Sequence, residues 1–287
     1  MKTKTVVSVI GAGGKMGTRV TNNLAKHLDE IHLHFCESSP SAIDSIKARG
    51  FSVIDAERAV PESDIVVLAV SDVVIKPVSS IIVPMMKPGA TMIILDPAAA
   101  VAKELAMRED CTVVVAHPCH PSYFTEQETL EAQRDHFGGI AAKQDIVMAL
   151  VQGDQTHFDT SRKISEWMFS PISKSYVMGL RDIAFLEPTL VEILGASTLY
   201  AMSETVNEAV RRGIDREAVV SFLTGHINVL TAVFLGKMGN AQVSDACKVA
   251  IGLGNRLVLR EDWKRIWEDD VLDRAIDTML HPDKPTI

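Results

Sequence analysis

A glycine-rich segment directly behind the first β-branched run restricts the fold of this chain more than any other feature. The run covers residues 6–10, and a helix-forming sequence follows the segment Gly11-Ala12-Gly13-Gly14-Lys15-Met16-Gly17. A strand, a glycine loop and a helix in this order place the N–H groups of a helix N-terminus where they bind phosphate. The G-x-G-x-x-G pattern would need a glycine at Met16. The better fit is therefore G-x-x-G-x-x-G on Gly11, Gly14 and Gly17.

Each glycine of this register has a separate expected role. Gly11 permits a tight turn, Gly14 lets the backbone approach a pyrophosphate, and Gly17 allows the helix to pack closely. Glu37 stands where a second strand should end, and a carboxylate there binds ribose hydroxyls and repels a 2'-phosphate, which favours NAD over NADP. The alternative is a glycine-rich turn in an unrelated α/β fold with Glu37 merely solvated.

The cofactor-binding prediction includes one residue outside the loop and its acidic partner. Ser71 follows the run of residues 65–70, and it belongs either to the same site or to an ordinary helix N-cap. The residues predicted to bind NAD are Gly11, Ala12, Gly13, Gly14, Lys15, Met16, Gly17, Glu37 and Ser71.

Short β-branched runs alternate with helical patterns through the first part of the chain. They cover residues 6–10, 31–36, 65–70, 91–95 and 112–116, and further strands are predicted at 145–150 and 175–178. That alternation is typical of a doubly wound, mainly parallel sheet. The fold-class prediction is therefore α/β, with an NAD-binding Rossmann domain over residues 1–178.

Long helical patterns replace the alternation from residue 179 onward. They cover residues 181–212, 216–235, 241–259 and 262–280. An all-α domain over residues 179–287 is predicted, serving substrate binding and dimerisation. The cleft between the two domains is the expected active site.

The composition of this 287-residue chain limits the kinds of partner that it is expected to bind. Its 29 Lys and Arg stand against 37 Asp and Glu, with a net charge of -8 and no block of like charge, so nucleic acid is not an expected partner. Residues 218–236 are uncharged but include Ser221 and His226, which predicts a buried helix and no membrane span. The long apolar helix faces predict a homodimer.

The spacing of the cysteines indicates the cellular compartment of the protein. Cys36, Cys111, Cys119 and Cys247 form no C-x-x-C pair, which is typical of free thiols in a reducing cytoplasm.

The densest chemistry lies behind the strand run that ends at residue 116, in the segment Ala116-His117-Pro118-Cys119-His120-Pro121-Ser122-Tyr123. Doubly wound folds bind ligands at the carboxyl ends of their strands. His117, Cys119 and His120 are residue types that ligate metals or shuttle protons. Cys119 is more often a small buried residue in such a position, and His120 is more often an ordinary loop histidine. His117, nearest the strand end, is therefore the preferred catalytic residue.

A second predicted catalytic residue, Glu187, begins the helical domain among apolar neighbours in the segment Phe185-Leu186-Glu187-Pro188-Thr189. A carboxylate in such surroundings needs a metal or a cationic partner. His117 and Glu187, completed by substrate oxygens, would form an open site for a divalent ion such as zinc, provided that the fold brings them together.

These motifs resemble known dehydrogenases. Over essentially its whole length the chain looks like the 6-phosphogluconate dehydrogenase-like enzymes, although Gly179-Leu180-Arg181-Asp182 lacks the catalytic lysine of the β-hydroxyacid dehydrogenases. His-Pro-Cys-His-Pro-Ser at residues 117–122 and Phe-Leu-Glu-Pro-Thr at 185–189 most resemble the D-apionate oxidoisomerase family.

This resemblance implies an activity. It implies NAD, a divalent metal held by His117 and Glu187, and a sugar-acid substrate. D-apionate would be oxidised at C2, and metal-assisted migration of a hydroxymethyl group from C3 to C2 would then give 3-oxo-isoapionate. The alternatives are a simple NAD-dependent 3-hydroxyacid or sugar-acid dehydrogenase without rearrangement, with His117 as general base, and a regulatory protein that binds NAD without turnover.

Overall fold

The computed structural model describes residues 4–283 and contains a seven-stranded sheet. Its strands are β1 (Thr5–Ile10), β2 (Ile31–Cys36), β3 (Ile65–Leu68), β4 (Thr91–Ile94), β5 (Thr112–Pro118), β6 (Gln144–Gln152) and β7 (Ile172–Val177). Their order is β2-β1-β3-β4-β5-β6-β7, and all neighbouring pairs are parallel except β5 with β6. The predicted mainly parallel, doubly wound sheet is confirmed.

The central strands are buried because helices cover both faces of a parallel sheet. Every residue of β3 and β4 is buried. β-Branched side chains have few rotamers to lose and pack well on a pleated surface, and the burial of each one contributes about 1.5–3 kcal/mol. Core residues drawn from the sheet are Val7, Val9, Ile65, Val67, Ile93, Val114, Ala116, Ile146 and Met148.

The helices follow the predicted pattern with small shifts at their ends. The α-helices are α1 (Lys15–Leu24), α2 (Pro40–Ala48), α3 (Ala56–Ala59), α4 (Asp72–Ile82), α5 (Ala98–Val101), α6 (Leu130–Arg134), α7 (Gln155–Met168), α8 (Leu180–Ala184), α9 (Ser197–Arg211), α10 (Arg216–Phe234), α11 (Asp245–Leu257) and α12 (Asp269–Leu280). Short 3-10 helices cover Ala25–His27, Val60–Glu62, Val83–Met85 and Trp263–Trp267, and a π-helix covers Phe185–Ala196. Side-chain oxygens of Asp154, Asp215 and Ser244 cap α7, α10 and α11.

The strand order reverses its direction between β1 and β3. From β1 the chain crosses to β2 on one side and then to β3 on the other, and Ile10 at the end of β1 pairs with Leu68 at the end of β3. Ligands of doubly wound sheets bind at such a switch point, outside the carboxyl ends of the strands. The glycine loop after β1 and the residues after β3 therefore face the same crevice.

The chain forms two compact units, residues 1–186 with 273–287 and residues 187–272. This division differs from the predicted ranges 1–178 and 179–287, whose extreme ends, 1–3 and 284–287, lie outside the described residues. The first unit includes most of α12, where Ile276 and Leu280 are buried and Arg181 contacts Asp273 at 3.0 Å. An apolar stripe predicts that such a helix is covered, but its sequence does not show which unit covers it.

The prediction that residues 218–236 form a buried helix is wrong for the described single chain. The helix is present as α10, but none of its residues is buried. The sequence shows how apolar this helix is. Whether the helix is buried depends on a neighbouring element that packs against it, which the sequence of the helix does not identify. By length and composition alone, Leu180–Arg211 and Arg216–Phe234 are long and apolar enough to cross a membrane.

Candidate active site

A cavity of about 470 Å³ opens at the carboxyl edge of the sheet in the first unit. Loops behind β1, β3, β4 and β5 contribute its walls, as expected for the ligand site of a doubly wound fold. The lining residues are Gly14, Lys15, Met16, Leu68, Ala69, Val70, Ser71, Asp72, Ile75, Leu95, Asp96, His117, Pro118, His120 and Phe137.

The glycine loop closes on itself in the register that the sequence favours. Gly11 has a φ of +78°, which L side chains rarely adopt, and its carbonyl oxygen accepts a hydrogen bond from Gly14 N at 3.1 Å. A Cβ atom on Gly17 would lie 2.0 Å from that oxygen. Gly11 therefore makes the turn, and Gly17 allows the first turn of α1 to pass directly beneath it.

The Glu37 carboxylate lies beside the glycine loop. Its Oε2 accepts a hydrogen bond from Gly13 N at 3.0 Å, and its Oε1 accepts from Ser38 N and Ser39 N at 2.9 and 3.1 Å. These donors hold the carboxylate at the end of β2, where NAD-binding folds recognise the adenosine ribose. This position supports the predicted choice of NAD over NADP.

We expect Glu37→Gln to weaken NADH binding and to reduce its preference over NADPH. The amide removes the charge that strengthens ribose hydrogen bonds and repels a 2'-phosphate, so the Kd for NADH should rise about 10-fold or more. Fluorescence titration with both nucleotides measures the change. Asp44→Asn, on the exposed side of α2, is the matched control. Unchanged affinity for both nucleotides in Glu37→Gln would contradict the ribose assignment.

Ser71 occupies the N-cap position of α4, yet the structure gives its side chain no capping hydrogen bond among the described residues. Its backbone oxygen accepts from Val74 N at 3.0 Å, and the residue lines the cavity. Ser71 is therefore the N-cap residue of α4 by its backbone, and its role in binding the cofactor stays a prediction.

His117 lies at the end of β5, half-buried, with its ring orientation fixed by a backbone carbonyl. Its Nδ1 is 2.7 Å from Leu95 O, and because a carbonyl only accepts, Nδ1 carries the hydrogen. In the neutral ring Nε2 therefore bears the lone pair. Metal-ligating histidines are commonly held in this way by a carbonyl on the other nitrogen, and a general base would be held equally well.

Glu187 belongs to the second unit, where it lies half-buried in the π-helix Phe185–Ala196. The cavity with His117 is formed by residues of the first unit. The pairing of His117 with Glu187 as metal ligands stays a prediction.

A different group of potential metal ligands lies together in the first unit. Atoms of Glu104, Asp277 and His281 all lie within 4.8 Å of one another. His281 Nε2 hydrogen-bonds Glu104 Oε1 at 2.9 Å, and Lys76 Nζ lies 3.3 Å from Glu104 Oε2. The hydrogen bond from His281, followed by that from Lys76, holds the pKa of Glu104 below its usual value although burial opposes this. These contacts attach the end of α12 to the sheet domain.

Asp135 organises the segment between β5 and β6 that forms one wall of the cavity. Its Oδ1 accepts from Gly138 N at 3.1 Å, and its Oδ2 accepts from the backbone N–H groups of Ile140, Ala141 and Ala142 at 3.0 to 3.2 Å. Burial raises the pKa of Asp135, but these four hydrogen bonds together lower it below its usual value. The carboxylate thereby fixes the loop that carries Phe137.

Asp135→Asn is expected to destabilise the protein by about 3 kcal/mol, because an amide cannot accept all four hydrogen bonds and the lost ones are charge-assisted. The folded-state pKa lies below the unfolded value of about 3.9, so this stabilisation is present above that pH and is lost as the pH falls through the folded-state pKa. Denaturation by urea between pH 3 and 7 measures both effects. Glu131→Gln, exposed on α6, should behave like the wild type.

Asp96 and Phe137 are among the cavity residues that the sequence analysis did not select. Asp96 follows β4 and accepts a hydrogen bond from Ala98 N at 2.8 Å. The rule that strand ends carry ligands could have identified it. Phe137 lies in an irregular segment, and no periodicity or motif marks it.

Comparisons with known proteins match both parts of the chain. Residues 1–147 match the family described as acetohydroxy acid isomeroreductase, NADPH-binding domain, and residues 125–280 match phosphogluconate dehydrogenase (decarboxylating) C-term. A solved NAD-binding semialdehyde dehydrogenase protein from Cupriavidus necator, in complex with calcium and NAD, is 38% identical with a TM-score of 0.92, over 96% of this chain and 100% of that one. Fold and site together define an NAD-dependent oxidoreductase with a Rossmann-like domain and a helical C-terminal domain.

Curated relatives narrow this class to one family. The D-apionate oxidoisomerase of Blautia hydrogenotrophica is 61% identical over 285 residues, which cover 99% of each chain. That of Pectobacterium atrosepticum is 38% identical over 278 residues, or 96% of each chain. The chain belongs to the D-apionate oxidoisomerase family.

Proposed function

We propose that this enzyme oxidises D-apionate at C2 with NAD and moves a hydroxymethyl group from C3 to C2, which gives 3-oxo-isoapionate and NADH. The observation that carries the proposal is that the glycine loop and the oriented His117 line one cavity. The names of the relatives support the substrate, since the similarity covers nearly the whole of each chain.

Each part of the cavity has a distinct task in this reaction. The glycine loop and the start of α1 bind the pyrophosphate, Glu37 binds the adenosine ribose, and NAD supplies the hydride acceptor. Leu68, Val70 and Ile75 form an apolar wall that keeps water from the reacting atoms. Leu95 O keeps the His117 ring in one orientation, in which Nε2 carries the lone pair of the neutral ring.

We also propose that His117 and Glu187 hold a divalent ion, for which zinc fits an imidazole and a carboxylate ligand. The carbonyl-bound Nδ1 of His117 supports this, because it leaves Nε2 as the ligand nitrogen. When bound, the ion polarises the ketone and acidifies the neighbouring alcohol. Metal content in variants of both residues tests this pairing.

The reaction is tested by incubating the protein with NAD and D-apionate, with and without zinc and a chelator. NADH absorbance follows oxidation, and NMR identifies the product, with 6-phosphogluconate as a control substrate. Chelator-sensitive formation of the rearranged 3-oxo acid is the expected result. NADH with an unrearranged product would instead indicate a simple dehydrogenase, and no NADH would overturn the proposed substrate.

We further propose that the enzyme is a homodimer joined through its helical unit. Phe222, Phe234, Val249 and Leu257 are each at least 60% exposed in the described chain, and α10 and α11 contain no buried residue. Monomers rarely leave so many large apolar side chains in water, and a second copy would cover them. Sedimentation velocity should give twice the chain mass, whereas a monomer would contradict the proposal.

A cytoplasmic location is also proposed. The four cysteines are free thiols, and burial raises the pKa of Cys36 to about 12, with Asp55 and Glu57 adding to the shift. Free thiols persist in a reducing compartment.

A further inference from the structure

We infer that His120 is a substrate-binding residue whose Nε2 accepts a hydrogen bond from a hydroxyl group of the branched sugar acid. The inference rests on the proposed function and adds a residue to the same site. It stands on the tautomer of the ring, on the backbone that holds it and on its place in the cavity.

The tautomer of His120 follows from one contact. Its Nδ1 is 2.8 Å from Phe137 O, and because the carbonyl only accepts, Nδ1 donates and carries the hydrogen. The neutral ring therefore has its lone pair on Nε2. Within residues 4–283 the structure gives this nitrogen no hydrogen-bond partner, which makes it an acceptor for a ligand that carries O–H donors.

The backbone of His120 is held in an uncommon conformation. Its φ is +60°, in the left-handed region that L residues other than Asn, Asp and His seldom adopt. Such conformations persist where the surrounding structure fixes them, and they concentrate at ligand sites. Here the preceding residue is fixed to β6 by a hydrogen bond from Cys119 N to Asp145 O at 2.9 Å. The chain therefore leaves the extended conformation of β5 at His120.

The ring of His120 contacts one aromatic ring and lies near a second. It contacts the Phe137 ring with centroids 4.6 Å apart, and the His117 ring is 6.4 Å away and nearly perpendicular. Lys15 Nζ and the Arg19 guanidinium lie over the same Phe137 ring, at 4.4 and 4.0 Å from its centroid. These contacts connect the β5–β6 segment to α1 directly beside the glycine loop.

The resulting arrangement matches the chemistry of a polyhydroxy acid. His117 and His120 line one cavity with the glycine loop, and in the neutral form of each ring Nε2 carries the lone pair because Nδ1 donates to a backbone carbonyl. D-Apionate carries several hydroxyl groups, each of which can donate to such an acceptor. A site built to pair with a substrate hydroxyl discriminates strongly against compounds that lack it. His120 would therefore hold the substrate while the chemistry occurs nearer His117.

Two variants separate the lone pair of Nε2 from the packing of the ring. His120→Asn retains a donor for Phe137 O, tolerates the positive φ, and has no atom in the place of Nε2. His120→Gln extends an amide toward that place and can restore an acceptor. His136→Asn is the matched control, because His136 is an exposed histidine of the same segment outside this cavity. Each protein is assayed for kcat and KM with D-apionate, for the Kd of NADH and for melting temperature.

His120→Asn should raise the KM for D-apionate about tenfold, the loss expected for one hydrogen bond to an imidazole. The Kd for NADH and the melting temperature should match the wild type, and His120→Gln should recover part of the KM. A wild-type KM in His120→Asn would overturn the inference alone. So would an equal loss in KM, NADH affinity and melting temperature without recovery in His120→Gln, because that result indicates packing. A wild-type enzyme that binds NADH but does not oxidise D-apionate would overturn the proposed function, and the inference with it.

Discussion

Gly17→Ala should lose measurable NAD binding and should destabilise the sheet domain by about 3 kcal/mol. The added methyl group would lie 2.0 Å from Gly11 O and 2.9 Å from the Ala12 carbonyl carbon. Both neighbours are backbone atoms, so the clash can be relieved only if α1 moves away from β1. That movement would displace the N–H groups that bind phosphate, and the Kd for NADH should rise more than about 100-fold, or about 2.7 kcal/mol.

Gly14→Ala provides the comparison within the same loop. The nearest atom to its added methyl group would be Gly11 O at 3.4 Å, which is an ordinary contact, and the φ of this residue is −65°. Because Gly14 is the N-cap residue of α1, where alanine is less favourable than glycine, the fold should lose about 1 kcal/mol at most. NADH affinity should still fall, because the methyl group points to where the pyrophosphate approaches.

Thermal unfolding measures the stability of both variants, and fluorescence titration measures their affinity for NADH. We expect Gly17→Ala to lose both stability and affinity, and Gly14→Ala to lose affinity with a much smaller loss of stability. Wild-type NADH binding in Gly17→Ala would show that the close contact between Gly11 and Gly17 does not shape the cofactor site.

The sheet was predictable because local sequence determines where its strands and glycine turns lie. Buried parallel strands require uninterrupted apolar runs, and a backbone that bends at Gly11 and passes beneath it at Gly17 requires the absence of a side chain at both positions. Such constraints act within a few residues. Pattern and spacing therefore identify them without knowledge of the tertiary fold.

Contacts that join distant segments could not be predicted in the same way. Asp135 looks like any surface acid in the sequence, yet its carboxylate accepts four backbone hydrogen bonds. Phe137 became part of the site only because that loop is folded against α1. Whether α10 and α12 are buried likewise depends on which surface packs against each helix. An apolar pattern does not identify that surface.

The candidate active site could be predicted in part. The strand-end rule pointed to His117, and the structure adds the hydrogen bond to Leu95 O that selects its tautomer. The rule gave no reason to separate His120 from an ordinary loop residue, since the decisive contact comes from Phe137, seventeen positions along the chain.

His117→Asn should lower kcat about 1000-fold while leaving NADH binding within about twofold of the wild type. Asparagine can still donate to Leu95 O, so the end of β5 should keep its conformation, but no atom replaces Nε2. The predicted loss of kcat therefore measures the contribution of His117 Nε2. His136→Asn again serves as the control for an exposed histidine.

Metal analysis of the same variant decides which role Nε2 performs. If His117 is a ligand, His117→Asn and Glu187→Gln should both lose bound zinc, because an open site with one protein ligand fewer holds the ion weakly. Loss of activity with unchanged zinc content would assign His117 as a general base and would favour a simple dehydrogenase. Full activity in His117→Asn would remove it from the reaction altogether and would leave the glycine loop as a cofactor site whose catalytic group lies elsewhere.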